Sequence, residues 1–203
     1  GRYLEAIDIY TQGMSIIVAD ADLSREKSIL ARFLRKLGLV HQKQGQNEEA
    51  LNYFNQAMLM QPDKNSPAHI HILTDLGWSY TSVHNFERAE QLLTQAIQLT
   101  DKLRNIDPVQ HNQLTARTLY YYSVLAWSRY DFVLALQLAE RSLGVYETIR
   151  DDYNTAKTSQ FIATLWWRRG ELDKARDYYQ RYLPHHRKTG DVYYLLRALQ
   201  GLG

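Results

Sequence analysis

One alanine-centred segment returns five times along this chain, and that recurrence constrains the fold more than any other feature. It reads Arg2-Tyr3-Leu4-Glu5-Ala6, then Gln46-Asn47-Glu48-Glu49-Ala50, Asn85-Phe86-Glu87-Arg88-Ala89, Asp131-Phe132-Val133-Leu134-Ala135 and Glu171-Leu172-Asp173-Lys174-Ala175. The alanines are separated by 44, 39, 46 and 40 residues. Self-similarity at such a period marks a stack of supersecondary units rather than one globular core. A second pattern precedes each of the last four alanines. It is Leu34-x-x-Leu37-Gly38-x-x-His41 and Leu73-x-x-Leu76-Gly77-x-x-Tyr80 in the first two cases. Looser versions carry Leu119, Tyr122, Ser123 and Ala126, then Ser159, Ile162, Ala163 and Trp166. Both patterns have the 3–4 residue spacing of an amphipathic helix. Each unit is therefore a pair of helices, with Gly or Ala where two backbones must approach closely. A single pair cannot bury its apolar stripe, so stability has to come from stacking neighbours.

Helix boundaries follow from local signals. Ser66-Pro67 and Asp107-Pro108 are an N-cap followed by proline at the first helical position. Asn47, Asn85 and Asp131 are placed to cap second helices, Asp151-Asp152 opens another, and Gly190-Asp191 closes one helix and opens the next. Ten helices are expected: 2–20, 24–44, 47–61, 67–83, 86–105, 108–129, 132–150, 152–169, 172–188 and 191–203. The composition agrees, with 45% hydrophobic residues, four prolines in 203 residues and little β-branched alternation.

The segments around Ala50 and Ala89, with Phe54, Ala57 and Pro62 or Leu93 and Ala96 following, resemble the tetratricopeptide repeat, W-x-x-L-G-x-x-Y…A-x-x-x-F…P. The resemblance extends over nearly the whole chain. It implies an all-α, right-handed superhelical solenoid of helical hairpins. The expected array spans 1–203, with units 24–61, 67–105, 108–150 and 152–188 and partial units 1–20 and 191–203. The ragged ends read as those of a fragment of a larger protein. The intervals exceed the standard unit of about 34 residues. In this the chain is similar to the tetratricopeptide sensor arrays of bacterial STAND-class regulators, to peptide-sensing regulators of Gram-positive bacteria, and to kinesin light chains.

In a solenoid of this type the first helix of each unit lines the concave surface. Counting from Gly38, Gly77, Ser123, Ala163 and Gly203 locates the inward stripe. Six residues earlier stand Arg32, His71, Arg117, Lys157 and Arg197; three earlier stand Arg35, Thr74, Tyr120 and Gln160. One later comes Trp78, four later Trp127 and Trp167, and five later Arg168. These columns hold no Asp or Glu. A groove lined by cations attracts carboxylate or phosphate, and aromatic faces among them can stack on a ligand. The competing expectation is that the cations pair with acids on neighbouring helices and the tryptophans fill gaps between repeats.

Other chemistry is excluded or weak. Cysteine is absent, so no disulfide or thiolate metal site can form, which fits a reducing, cytoplasmic setting. His69-x-His71 and His185-His186 lack further ligands at metal spacing and read as surface or packing histidines. No phosphate loop, nucleophile elbow or catalytic constellation is found, so an enzymatic role and a bound cofactor are not expected. The net charge of +2 is too mild to require nucleic acid or membrane. The favoured reading is a sensor or interaction array of a bacterial signalling protein. It would take a protein, a peptide or a small anionic or aromatic ligand in the groove and act on an effector domain elsewhere in the parent chain. A passive protein–protein scaffold is the alternative, and an RNA-binding helical repeat is less favoured.

Overall fold

The computed structural model describes residues 2–17, 23–103 and 106–189. Every regular element among them is an α-helix. Five lie in one compact unit, Gly1–Arg104: α1 (Arg2–Ile17), α2 (Leu23–Lys43), α3 (Asn47–Met60), α4 (Pro67–Ser82) and α5 (Phe86–Lys102). Four lie in a second, Asn105–Gly203: α6 (Pro108–Ser128), α7 (Phe132–Thr148), α8 (Asp152–Arg168) and α9 (Leu172–Thr189). The observed bounds fall within three residues of those expected. The expected tenth helix, 191–203, and the Gly190-Asp191 boundary lie outside the described residues. No described helix is long and apolar enough to cross a membrane.

The helices pair as antiparallel hairpins, α2 with α3 and α4 with α5 in the first unit, α6 with α7 and α8 with α9 in the second. One turn recurs in all four. The residue after the first helix adopts a left-handed conformation, Gly45 and Gly170 in two turns but His84 (φ 61°) and Tyr130 (φ 63°) in the others. The next N–H reaches back five residues: Gln46 to His41 (3.0 Å), Asn85 to Tyr80 (2.9 Å), Asp131 to Ala126 (2.9 Å) and Glu171 to Trp166 (3.1 Å). This is a Schellman closure, which satisfies the last carbonyls of one helix. Asn85 and Asp131 at once cap the following helix, accepting from the N–H of Arg88 (3.2 Å) and Leu134 (3.0 Å). A connection of three residues thus ends one helix and starts the next. Cap Gln46 makes no side-chain bond to the helix it starts, its Oε1 lying instead 2.7 Å from His41 Nδ1, and Asn47 is already helical, so the expected Asn47 cap is corrected to its neighbour.

The repeat alanines Ala50, Ala89, Ala135 and Ala175 are all buried. Opposite them, a Cβ placed on Gly38 would lie 2.5 Å from Phe54 Cε1, and one on Gly77 would lie 2.6 Å from Leu93 Cγ. The bulky residue at Ala+4 therefore seats directly on the glycine of the partner helix. Gly144, exposed on α7, has nothing within 4 Å of such a Cβ.

These glycines respond oppositely to the same substitution. Gly38→Ala and Gly77→Ala should each destabilise by about 1–3 kcal/mol through overpacking, despite alanine's better helix propensity. Gly144→Ala should stabilise by about 0.5–1 kcal/mol. Urea denaturation of the three variants checks the signs.

Candidate functional site

In the first unit, the inward stripes of α2 and α4 are joined by polar contacts. Arg35 Nε donates to Asp75 Oδ2 at 2.5 Å, and Gln42 Nε2 donates to Ser79 Oγ at 2.8 Å. Asp75 is fully buried, so the guanidinium of Arg35 supplies the charge its carboxylate needs. Thr74 is buried, with its hydroxyl on the Ile70 carbonyl at 2.9 Å. Arg32 is exposed, and His71 and Trp78 are half-buried. The expected stripe here is a surface whose central cation is committed to an internal acid. The sequence columns passed over Asp75, one residue beyond Thr74.

In the second unit, α6 and α8 bring the expected residues into a cation–aromatic array. Lys157 Nζ lies 4.1 Å above the Tyr120 ring and 5.0 Å above that of Tyr121; the Arg117 guanidinium is 5.2 Å from Tyr121. Tyr120 meets Phe161 edge to face at 5.7 Å. Phe161 in turn packs with Trp127 on the Ala126–Ala135–Leu165 core. Tyr121 and Phe161 are members that sequence counting did not select. Lys157 meets ring faces rather than a carboxylate, the geometry in which an ammonium is attracted to the ring quadrupole while keeping donors for a ligand. Gln160 is buried on the same helix, 3.4 Å from the Tyr179 hydroxyl. Exposed Trp167 stacks only with its neighbour Arg168, 5.4 Å away, near the end of α8. Arg197 lies outside the described residues.

Such an arrangement of paired helices has known counterparts. Residues 29–102 match the family model for the tetratricopeptide repeat. That segment is tetratricopeptide repeat. Solved tetratricopeptide-type structures share the fold along almost all of the chain. A Rap protein complexed with competence and sporulation factor superposes with a TM-score of 0.83 at 18% identity, covering 97% of this chain and 53% of that one. Aspartyl phosphate phosphatase F from Bacillus subtilis gives 0.76 at 20% identity, covering 97% and 49%. A STAND protein with a tetratricopeptide repeat sensor from Pyrococcus horikoshii gives 0.67 at 14% identity, covering 98% and 36%. The chain thus spans about half the length of the first two and about a third of the last. No curated protein matches the sequence at a significant level. The fold is all-α, of the tetratricopeptide solenoid type. Among the described residues no three metal-ligating side chains converge.

Helix α9 is fastened to its neighbours through three carboxylates. Tyr178 donates to Glu140 (3.0 Å) and Tyr182 to Glu147 (2.8 Å) on α7, while His185 and Lys188 reach Asp152 at the start of α8. The hydrogen bonds from Lys188 and His185 hold the Asp152 carboxyl below its usual range. Burial and Glu140 push the Tyr178 hydroxyl up to about 12, and burial and Glu147 raise Tyr182 further.

Two outcomes follow from these contacts. A phenol whose pKa is raised on folding contributes stability that is complete below the unfolded value near 10 and lost as pH climbs toward the folded value. The second unit should therefore lose stability between pH 10 and about 12, and Tyr178→Phe should flatten that slope in melting temperature against pH. In the first unit, Asp75→Ala leaves Arg35 without its partner and should cost about 3 kcal/mol in chemical denaturation, since breaking a buried pair exposes the full desolvation penalty.

Proposed function

We propose that this chain is the sensor and interaction domain of a bacterial signalling protein, taking an acidic or aromatic ligand on the α6–α8 face. The observation that carries the reading is the placement of Lys157 and Arg117 against the rings of Tyr120 and Tyr121. Lys157, its ammonium over two ring faces, is pre-positioned at little entropic cost, and its three donors suit a carboxylate. The exposed Trp167–Arg168 pair further along α8 offers a second aromatic–cation contact for an extended peptide. Similarity to a Rap protein complexed with competence and sporulation factor, and to a STAND protein with a tetratricopeptide sensor, supports a ligand-sensing rather than a purely architectural role. Binding that orders the two first helices against each other would bias an effector domain in the parent chain, provided the two states differ in ligand affinity.

A fluorescent acidic peptide library tests the proposal. Peptides selected by the intact protein should bind at least ten-fold more weakly to the Arg117→Ala/Lys157→Ala double variant, with helical circular dichroism retained. Their affinity should fall as salt rises. Equal affinity in the double variant would discard the α6–α8 face as the site. Binding restricted to folded proteins, with no short peptide selected, would favour a scaffold.

A further inference from the structure

The opposite face of α4 lines a second site, unrelated to the cation–aromatic array. At roughly 100° per residue, His69, Leu73, Leu76 and Tyr80 fall within about 60° of one another and about 150° from the His71, Thr74, Trp78 and Thr81 stripe. These four form one side of a cavity of about 330 Å³, inside the first unit, with α3 and α5 as its flanks. That volume falls at the lower end of the ~300–1,000 Å³ typical of small-molecule sites. Its accessible apolar lining comes from half-buried Met58, Tyr80 and Leu99, over a floor of buried Leu73, Leu76 and Leu92.

Two features make it more than a gap between helices. His69 is 4% exposed, and its Nδ1 is buried without a hydrogen-bond partner. A buried polar nitrogen left in that state costs free energy, which a ligand atom can recover. The rim is also of one sign. Lys64 and Arg88 line the cavity, and no carboxylate does so among the described residues. Lys64 Nζ donates to the Met58 carbonyl at 3.0 Å and Arg88 Nη1 to Gln91 Oε1 at 3.0 Å. Both partners are neutral, and each cation keeps further donors, of which an ammonium has three and a guanidinium five.

We propose that this cavity binds a small organic anion, a carboxylate carried on an apolar body, which lies along Leu73, Leu76, Leu92 and Met58 with its charge at Lys64 and Arg88 and a hydrogen bond to His69. Burial, aided by the Lys64 charge, holds the His69 imidazole below its ordinary value, so the ring is neutral at pH 7 and presents one N–H donor and one acceptor. A neutral ring leaves charge recognition to the rim and makes the interior suited to an uncharged chain. A cationic ligand would meet repulsion from both rim residues. An alcohol of the same length would forgo the ion pairs.

Sodium octanoate is the probe, titrated into the intact protein and read by calorimetry and by the His69 ring resonances. The expected result is saturable binding that shifts the His69 signals and raises its apparent pKa, since a carboxylate nearby favours the imidazolium. 1-Octanol should bind at least ten-fold more weakly. Lys64→Gln/Arg88→Gln should lose at least ten-fold in octanoate affinity, and Arg117→Ala/Lys157→Ala should retain it. Both rim residues are exposed, so the neutral variant should keep its fold, checked by melting temperature. Octanoate that leaves the His69 signals unmoved at millimolar concentration, or binds equally to octanol or to the rim variant, overturns the proposal. Binding of an acetylated peptide ending in a leucine carboxylate, with octanoate inert, also overturns it and assigns the cavity to a chain terminus.

Discussion

Close approach of two helices at a residue without a side chain is the constraint on which the first unit depends. Phe54 rests where a Gly38 Cβ would be, and Leu93 where a Gly77 Cβ would be. That approach brings Ala50 and Ala89 into the core and aligns the helix ends closely enough for a three-residue turn. With the turn so short, one residue closes one helix and caps the next, so the crossing and the connection specify each other. The second unit uses Ser123 and Ala163 at the equivalent points, both fully buried. There the residue four beyond the repeat alanine is Ala139 on α7 and Tyr179 on α9, both buried.

The repeat was legible in the sequence because its signals are local and redundant. Spacing, small residues and caps all pointed to the same helices, and Asp131 and Ser66 cap as their types require. The turn conformations were not legible. Glycine marks the left-handed residue at Gly45 and Gly170, but histidine, tyrosine and arginine occupy it at His84, Tyr130 and Arg150. Those residues bear a local strain that the Schellman bonds and the following caps offset, and no composition rule reveals it.

The inward columns were legible as positions and not as chemistry. Counting from the glycine placed Arg35 and Lys157 on the same kind of stripe, yet their surroundings differ completely. Arg35 meets an acid from the next first helix, Asp75, one residue outside the columns. Lys157 meets two tyrosines, one of them, Tyr121, likewise one residue outside. A helix face is about 100° per residue wide only in the idealised wheel. A long side chain reaches across that boundary, so a partner adjacent to a column decides whether a cation is neutralised or merely held. Sequence periodicity cannot separate those outcomes, because both keep the same residue at the same angle.

Helix α4 shows why a repeat can support two kinds of recognition. One face carries the Thr74 and Trp78 stripe, and the other carries His69, Leu73, Leu76 and Tyr80. The proposed anion sites, the cavity beside α4 and the array on α6 and α8, would work by different physics. The half-buried cations over rings act through Coulomb attraction, which salt weakens. A cavity floored by buried leucines acts mainly by removing apolar surface from water. Its signature is a negative heat-capacity change. Hydrophobic contact in the cavity sets affinity, and its two rim charges set which end of the ligand faces out. Salt weakens binding at both sites, since the cavity's rim cations Lys64 and Arg88 are exposed, so a negative heat-capacity change is what separates an anion held by its apolar body from one held by charge alone.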